Sequence, residues 1–123
     1  MLLSCSLASL NAQYTLKEEK DSLQFYTRWS HEKWYSKKSP DVLLVKVVNL
    51  SDQAKSFDLG IEFFAGLILI EESQSFPFCI RGKKKLKPRV HGLVFKPAQA
   101  KKEKLDSFEL KGLEITPAPG DCE

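Results

Sequence analysis

Two histidines, three cysteines and scattered acids are the first residues to test for a metal centre or a reaction site in this chain. His31 falls in a polar turn between Trp29 and Trp34, and His91 falls within a predicted strand; neither has a neighbour at ligand spacing. A zinc site needs three or four converging His, Cys or carboxylate ligands. Only the distant Cys79 and Cys122 and dispersed acids are on offer. Nucleophilic catalysis needs a nucleophile, a base and an orienting group held together. The chain carries no Gly-x-Ser-x-Gly elbow, no Cys and His signature and no Gly-rich phosphate loop. The acid pairs Glu18-Glu19 and Glu71-Glu72 are adjacent, so on a strand they point to opposite faces. The reading is a non-enzymatic protein that needs no metal or cofactor.

Two constellations suit recognition instead. Trp29, Trp34 and Tyr35 cluster around a polar turn. Such rings either form the rim of a core or present flat faces with polar tips to a carbohydrate or peptide. The second constellation is electrostatic: residues 81 to 104 hold ten Lys or Arg against the single acid Glu103, while the chain as a whole carries only +3. Lys83, Lys84, Lys85, Lys87 and Arg89 lie in one connection, and Lys101, Lys102 and Lys104 in the next. If both connections sit at one end of the fold they make an anion-binding patch for acidic glycans or lipid headgroups. Otherwise they are solvated lysines that discourage edge-to-edge aggregation. Aromatics are not interleaved with them, which argues against nucleic acid.

The elements that position these groups are read from period. At 123 residues, 42% hydrophobic and 28% charged, the chain has the size and composition of one domain with one core. Apolar residues recur at every second position. In Leu23 to Trp29 the residues Leu23, Phe25, Thr27 and Trp29 share a face, and Phe57, Leu59, Ile61 and Phe63 do the same in the next clear case. Val42 to Val48 and Leu67 to Ile70 are nearly continuous apolar runs, the pattern of shielded central strands. Phe76 to Ile80, Arg89 to Phe95 and Phe108 to Ile115 complete the set, the last with a phase flip at Gly112 that predicts a β-bulge. The expectation is an all-β, immunoglobulin-like sandwich of about seven strands over residues 20–115, with one short helix near 97–105 and a disordered tail at 116–123.

Residues 1–12 read as a signal peptide with a truncated basic end: an apolar stretch from Leu2 to Leu10, then Asn-Ala before Gln13. The rival readings are a retained N-terminal strand, and a lipoprotein box in which Leu2-Leu3-Ser4 precedes a lipidated Cys5. Export leaves Cys79 and Cys122 either to pair or to stay free. Retention implies a cytoplasmic protein. No apolar run is long enough to span a bilayer. Asn49-Leu50-Ser51 matches the N-glycosylation sequon and equally an ordinary turn.

The order of elements, from the aromatic strand ending in Trp29 through Leu43 to Asp52, Phe63-Phe64, Phe78-Cys79-Ile80 and Gly92 to Phe95, resembles small secreted immunoglobulin-like or fibronectin-type sandwiches of bacteria. The Leu-Asn-Ala-Gln ending resembles signal peptides of the Bacteroidetes. Cys79 departs from the antibody pattern, having no partner at inter-sheet spacing. The resemblance implies an exported binding or structural module at the cell envelope, with a protein or glycan partner. It carries over no site residues.

Overall fold

The computed structural model describes residues 13–33, 35–97, 107–118 and 122. Among them the chain forms ten strands and one helical turn, in the order β1 (Thr15–Lys20), β2 (Leu23–His31), β3 (Asp41–Asn49), β4 (Lys55–Ala65), β5 (Ile68–Glu72), β6 (Phe76–Ile80), β7 (Lys85–Leu86), α1 (Pro88–His91), β8 (Val94–Phe95), β9 (Ser107–Lys111) and β10 (Thr116–Pro117). These make two antiparallel sheets, an all-β sandwich. No helix among the described residues is long and apolar enough to cross a membrane.

The ten strands fall into seven ribbons, because three of the ribbons are interrupted. The first sheet runs β1, β2, β3, with β7 and β8 sharing the far edge of β3. There Leu44 faces Val94 and Val47 faces Leu86, so three steps along β3 match eight along its partner; the surplus is the turn α1. The second sheet is built around β4, with β5 and β6 along one edge and β9 and β10 along the other. Glu62 faces Glu72 and Leu59 faces Phe76, three steps against four. Ser73 fills that gap: its N–H donates to the Ile61 carbonyl at 2.9 Å and its hydroxyl accepts the Ile61 N–H at 2.9 Å. On the other edge Gly60 faces Lys111 and Ser56 faces Thr116, four steps against five. The extra residue falls at 112–115, where the phase flip at Gly112 predicts a bulge.

The core lies between the sheets and uses the faces expected from alternation. Leu23 and Phe25 of β2, Leu43, Val45 and Val47 of β3, and Phe57, Leu59, Ile61 and Phe63 of β4 are all buried together. The Phe25 and Phe57 rings meet edge-on at 5.5 Å, and Phe57 stacks on Phe78 at 5.6 Å, contacts that add to plain area burial. The opposite face of β3 is covered as well, since Val42 and Leu44 are also buried.

Three expectations are corrected. Leu67 to Ile70 is not a shielded central strand: β5 is an edge, with Leu67 fully exposed and Ile68 68% exposed. A strand over Arg89 to Phe95 gives way to α1 followed by the two-residue β8. Pro88 opens the turn at its first position, and Gly92 closes it at φ 80°, with the Leu93 N–H donating to the Pro88 carbonyl at 2.9 Å. A Cβ at Gly92 meets nothing within 4 Å, so Gly92→Ala tests the left-handed backbone alone. It is expected to lower stability by about 1 kcal/mol, read as a shift in the urea midpoint. The third correction is the tail. Thr116 and Pro117 pair with Ser56 and Lys55, the Ala118 N–H donates to the Ala54 carbonyl at 2.9 Å, and Cys122 is disulfide-bonded to Cys79. The expected helix near 97–105 lies outside the described residues except for Pro97, which is buried and not helical. The leader at 1–12 and Cys5 also lie outside them.

Candidate ligand-binding cleft

Among the described residues the Trp29 end of the sandwich is open. Where β2 finishes its inward row of Leu23, Phe25 and Thr27, the next inward residue is Trp29, half-buried at the edge of the core. Its indole packs on Phe63 at 6.0 Å and meets Phe108 of β9 edge-on at 6.3 Å. Beyond it lies a cleft of about 730 Å³. The cleft is lined by the start of β1, the end of β2, Asp41 and Leu43 of β3, Lys37 of the β2–β3 loop, and Phe108.

A β-bulge builds one wall. Thr15 faces Thr27 and Leu16 faces Tyr26, but Glu18 faces Phe25, so Lys17 is the extra residue of β1. A bulge re-aims the side chain it carries. Here the Lys17 ammonium lies 4.7 Å from the centre of the Phe108 ring and 3.5 Å from Glu109 Oε2, reaching from the first sheet to the second.

The opposite wall is polar. His31 and Asp41 are cross-strand partners, with Nδ1 and Oδ1 at 3.3 Å, an ion pair when the imidazole is protonated. The loop above them is tied into a compact turn. Ser39 accepts the Lys33 N–H at 3.0 Å and donates to the Ser36 carbonyl at 2.8 Å, and the Glu32 N–H donates to the Pro40 carbonyl at 2.7 Å. Arg89 of α1 pins its base by donating to the carbonyls of His31 at 2.7 Å and Glu32 at 2.8 Å. The loop that carries Lys37 and Tyr35 is therefore held against the sheet.

The residues singled out from sequence are distributed as follows. Trp29 floors the cleft, Tyr35 stands 69% exposed on the adjoining loop, and Trp34 lies outside the described residues. The described part of the basic segment runs beside β3, where Lys85 faces Val48. Lys83 donates to the Leu50 carbonyl at 2.7 Å, Arg89 is bound to the β2–β3 loop, and Lys84, Lys85 and Lys87 are exposed. Lys101, Lys102 and Lys104 lie outside the described residues. His91 accepts the Lys87 N–H at Nδ1, 2.9 Å, which ties the start of α1 to its end. Among the described residues no three His, Cys, Asp or Glu gather to hold a metal ion. Sequence reasoning missed Lys17 and Asp41, which strand pairing brings beside β2, and Phe108, which comes from the other sheet; nothing local marks any of them.

Chemically, the cleft offers an aromatic floor, hydroxyls, an imidazole–carboxylate pair and cations. Ser30 and His31 are neighbours on a strand and point to opposite faces, so they do not make a nucleophile–base pair. No protein family, curated protein or solved structure matches this chain.

Proposed function

We propose that this chain is a non-catalytic, exported binding domain of the cell envelope, and that the cleft at Trp29 seats a saccharide. The observation that carries the reading is an indole at the edge of the core, part of its surface turned to a 730 Å³ cleft that is ringed by polar and cationic groups. Leu16, Trp29, Leu43 and Phe108 give the cleft an apolar part among a majority of polar residues, a balance suited to a ligand that carries many hydroxyls. Flat sugar faces stack on such a ring while their hydroxyls reach the polar rim. With Lys17 held by Glu109, Arg28 and the exposed Lys37 still outnumber Asp41 among the charges on the lining, which favours acidic sugars over neutral ones.

Export is supported by the Cys79–Cys122 disulfide, a bond that persists in oxidising compartments and is rare in the cytosol. The count of four ribbons against three fits small secreted sandwiches, whereas the order does not follow immunoglobulin domains: β1, β2 and β3 are consecutive neighbours in one sheet, where an immunoglobulin domain sends its third strand to the other.

The test is tryptophan emission during titration with a panel of neutral and acidic oligosaccharides, in a Trp34→Phe background so that Trp29 alone reports. A saturable change is expected for an acidic member, weakened about tenfold by Lys37→Ala, whose side chain is on an exposed loop. No response to any member of the panel, or an unchanged affinity in both Lys37→Ala and Asp41→Asn, defeats the proposal.

A further inference from the structure

The most conspicuous surface feature lies on the other sheet. Leu67, Ile68, Leu69 and Ile70 are 100%, 68%, 44% and 39% exposed, and Phe76, just beyond them, is 46% exposed. Consecutive strand residues point to alternate faces, so β5 is bare on both faces at once. β5 is also the last strand of its sheet: among the described residues nothing pairs with its outer edge. Folded proteins manage such edges with charges, prolines or a cover, because an apolar strand with a free edge recruits another strand. Here Lys, Arg and Pro are absent from 66–72, the two acids stand together at the end, Glu71-Glu72, and the one bulge, where Phe63 faces Glu71 but Phe64 faces Leu69, leaves the extra residue Ile70 itself exposed.

We infer that β5 is a self-pairing edge, and that the protein forms a two-fold dimer by antiparallel addition of β5 to its copy. Three arguments select a second copy as the occupant. An antiparallel pair of identical strands is self-complementary under a two-fold axis, so one patch serves both partners. A strand docking at the edge covers both faces of β5, which a flat surface laid on one face does not. The area also fits: the five apolar residues expose about 500 Å², near the top of what a monomer shows in one patch. Doubled by symmetry, this gives about 1,000 Å², the lower bound of a specific interface.

The acids fix the register. The two-fold axis sets residues of the same face opposite each other: with Leu69 facing Leu69 of the copy, Ile68 faces Ile70, Glu71 lies opposite Leu67 of the preceding turn, and no two carboxylates meet. Sliding the strands toward their C-terminal ends sets Glu71 against Glu71, which like-charge repulsion penalises. Lys111 already holds Glu72 at 2.9 Å from within the same chain, so part of the acidic charge is neutralised before association.

The experiment is sedimentation equilibrium of the full disulfide-bonded chain across the micromolar range, with amide hydrogen exchange measured at both ends of it. Expected is a concentration-dependent doubling of mass, with slower exchange of the Leu69 and Ile70 amides in the dimer. Ile68→Lys and Ile70→Lys, both at exposed positions, should each weaken association about 100-fold without altering the circular dichroism spectrum. A chain that stays monomeric throughout overturns the inference, as does a dimer that survives both substitutions together or whose β5 amides exchange as in the monomer. Cosedimentation of the monomer with phosphatidylcholine vesicles, lost in Ile68→Lys, would assign the patch to lipid and equally overturn it. Loss of saccharide binding in Lys37→Ala leaves this dimer untouched, so the two readings fail separately.

Discussion

Asn49→Ala is expected to destabilise the domain by about 3 kcal/mol, more than any other single polar substitution. Asn49 is 1% exposed at the end of β3 and holds three segments with one side chain. Its amide nitrogen donates to the carbonyls of Gln53 at 2.8 Å, Arg81 at 3.1 Å and Ile80 at 3.4 Å. Its oxygen accepts from the Ser51 N–H at 2.9 Å and the Ser51 hydroxyl at 2.8 Å. The β3–β4 turn is thereby stapled to the end of β6, and Gly82 packs so closely on Asp52 that a Cβ there would collide with the Asp52 carbonyl. Alanine removes a donor from the buried Ile80 carbonyl and leaves the Gln53 and Arg81 carbonyls with the longer bonds from the Ser51 hydroxyl at 3.1 Å and the Lys84 N–H at 3.3 Å. It also takes the acceptor from the Ser51 N–H, so five contacts of one buried side chain go together. Asn49→Asp is worse, since it keeps the acceptor but turns a carboxylate toward three carbonyl oxygens. Urea unfolding checks this: a midpoint lowered by about 1 to 2 M is expected, and a shift under a few tenths of a molar would refute the staple. The same geometry decides the sequon at Asn49-Leu50-Ser51. In the folded chain the amide nitrogen is buried and engaged, so Asn49 serves the turn and is closed to a glycosylating enzyme.

Removing the disulfide is the second large effect. Cys79 on β6 and Cys122 beyond β10 are 43 residues apart in sequence, and cross-linking a loop of that length removes unfolded-state entropy equivalent to about 4 kcal/mol in the chain-entropy picture. In the folded state β6 and β10 flank β4 on opposite edges, both pairing with Lys55 and Ser56, so the bond ties the tail across the central strand. β10 itself contributes only two paired residues. The double substitution Cys79→Ser, Cys122→Ser should cost 2 to 4 kcal/mol, roughly 10 °C in Tm for a domain of this size. Amide exchange at Thr116 and Ala118 should rise before that of β4. Equal melting with and without reductant would show that the bond contributes nothing.

Legibility followed burial on one side. The strands read from alternation at Leu23 to Trp29 and Phe57 to Phe63, and from the apolar run at Val42 to Val48, correspond to β2, β4 and β3, because a half-buried strand must write its inward face into every second residue. β1 was illegible for the opposite reason. Lys17, Glu18, Glu19 and Lys20 are the charges that protect a sheet edge, and they erase the periodic signal. Leu67 to Ile70 misled because a continuous apolar run records the need for a cover and not its source. Arg89 to Phe95 had the needed cue in Pro88 just before it and Gly92 within it, the punctuation of a single helical turn, but the apolar run Leu93 to Phe95 imitated the core of a longer strand. Of the cleft, only Trp29 and its neighbours could be picked out by type. Lys17 and Phe108 are 12 and 79 residues from Trp29; a bulge in the β1–β2 pairing brings the first to the cleft, and only the closing of two sheets brings the second.

The construction of the second sheet has a kinetic consequence. Both outer ribbons bond to β4, one through a nearby hairpin and the other through residues 107–117, so Gly60 and Lys111, 51 positions apart in sequence, must find each other. The meander of β1, β2 and β3 and the β4–β5 hairpin need only short-range search, whereas closure of the far side of β4 waits on the slow diffusion of a long loop. Until that encounter an emerging chain carries the greasy rows of β4 and β5 uncovered together. Crowding of such half-finished molecules, rather than any weakness of the finished one, is where this protein is most exposed to clumping.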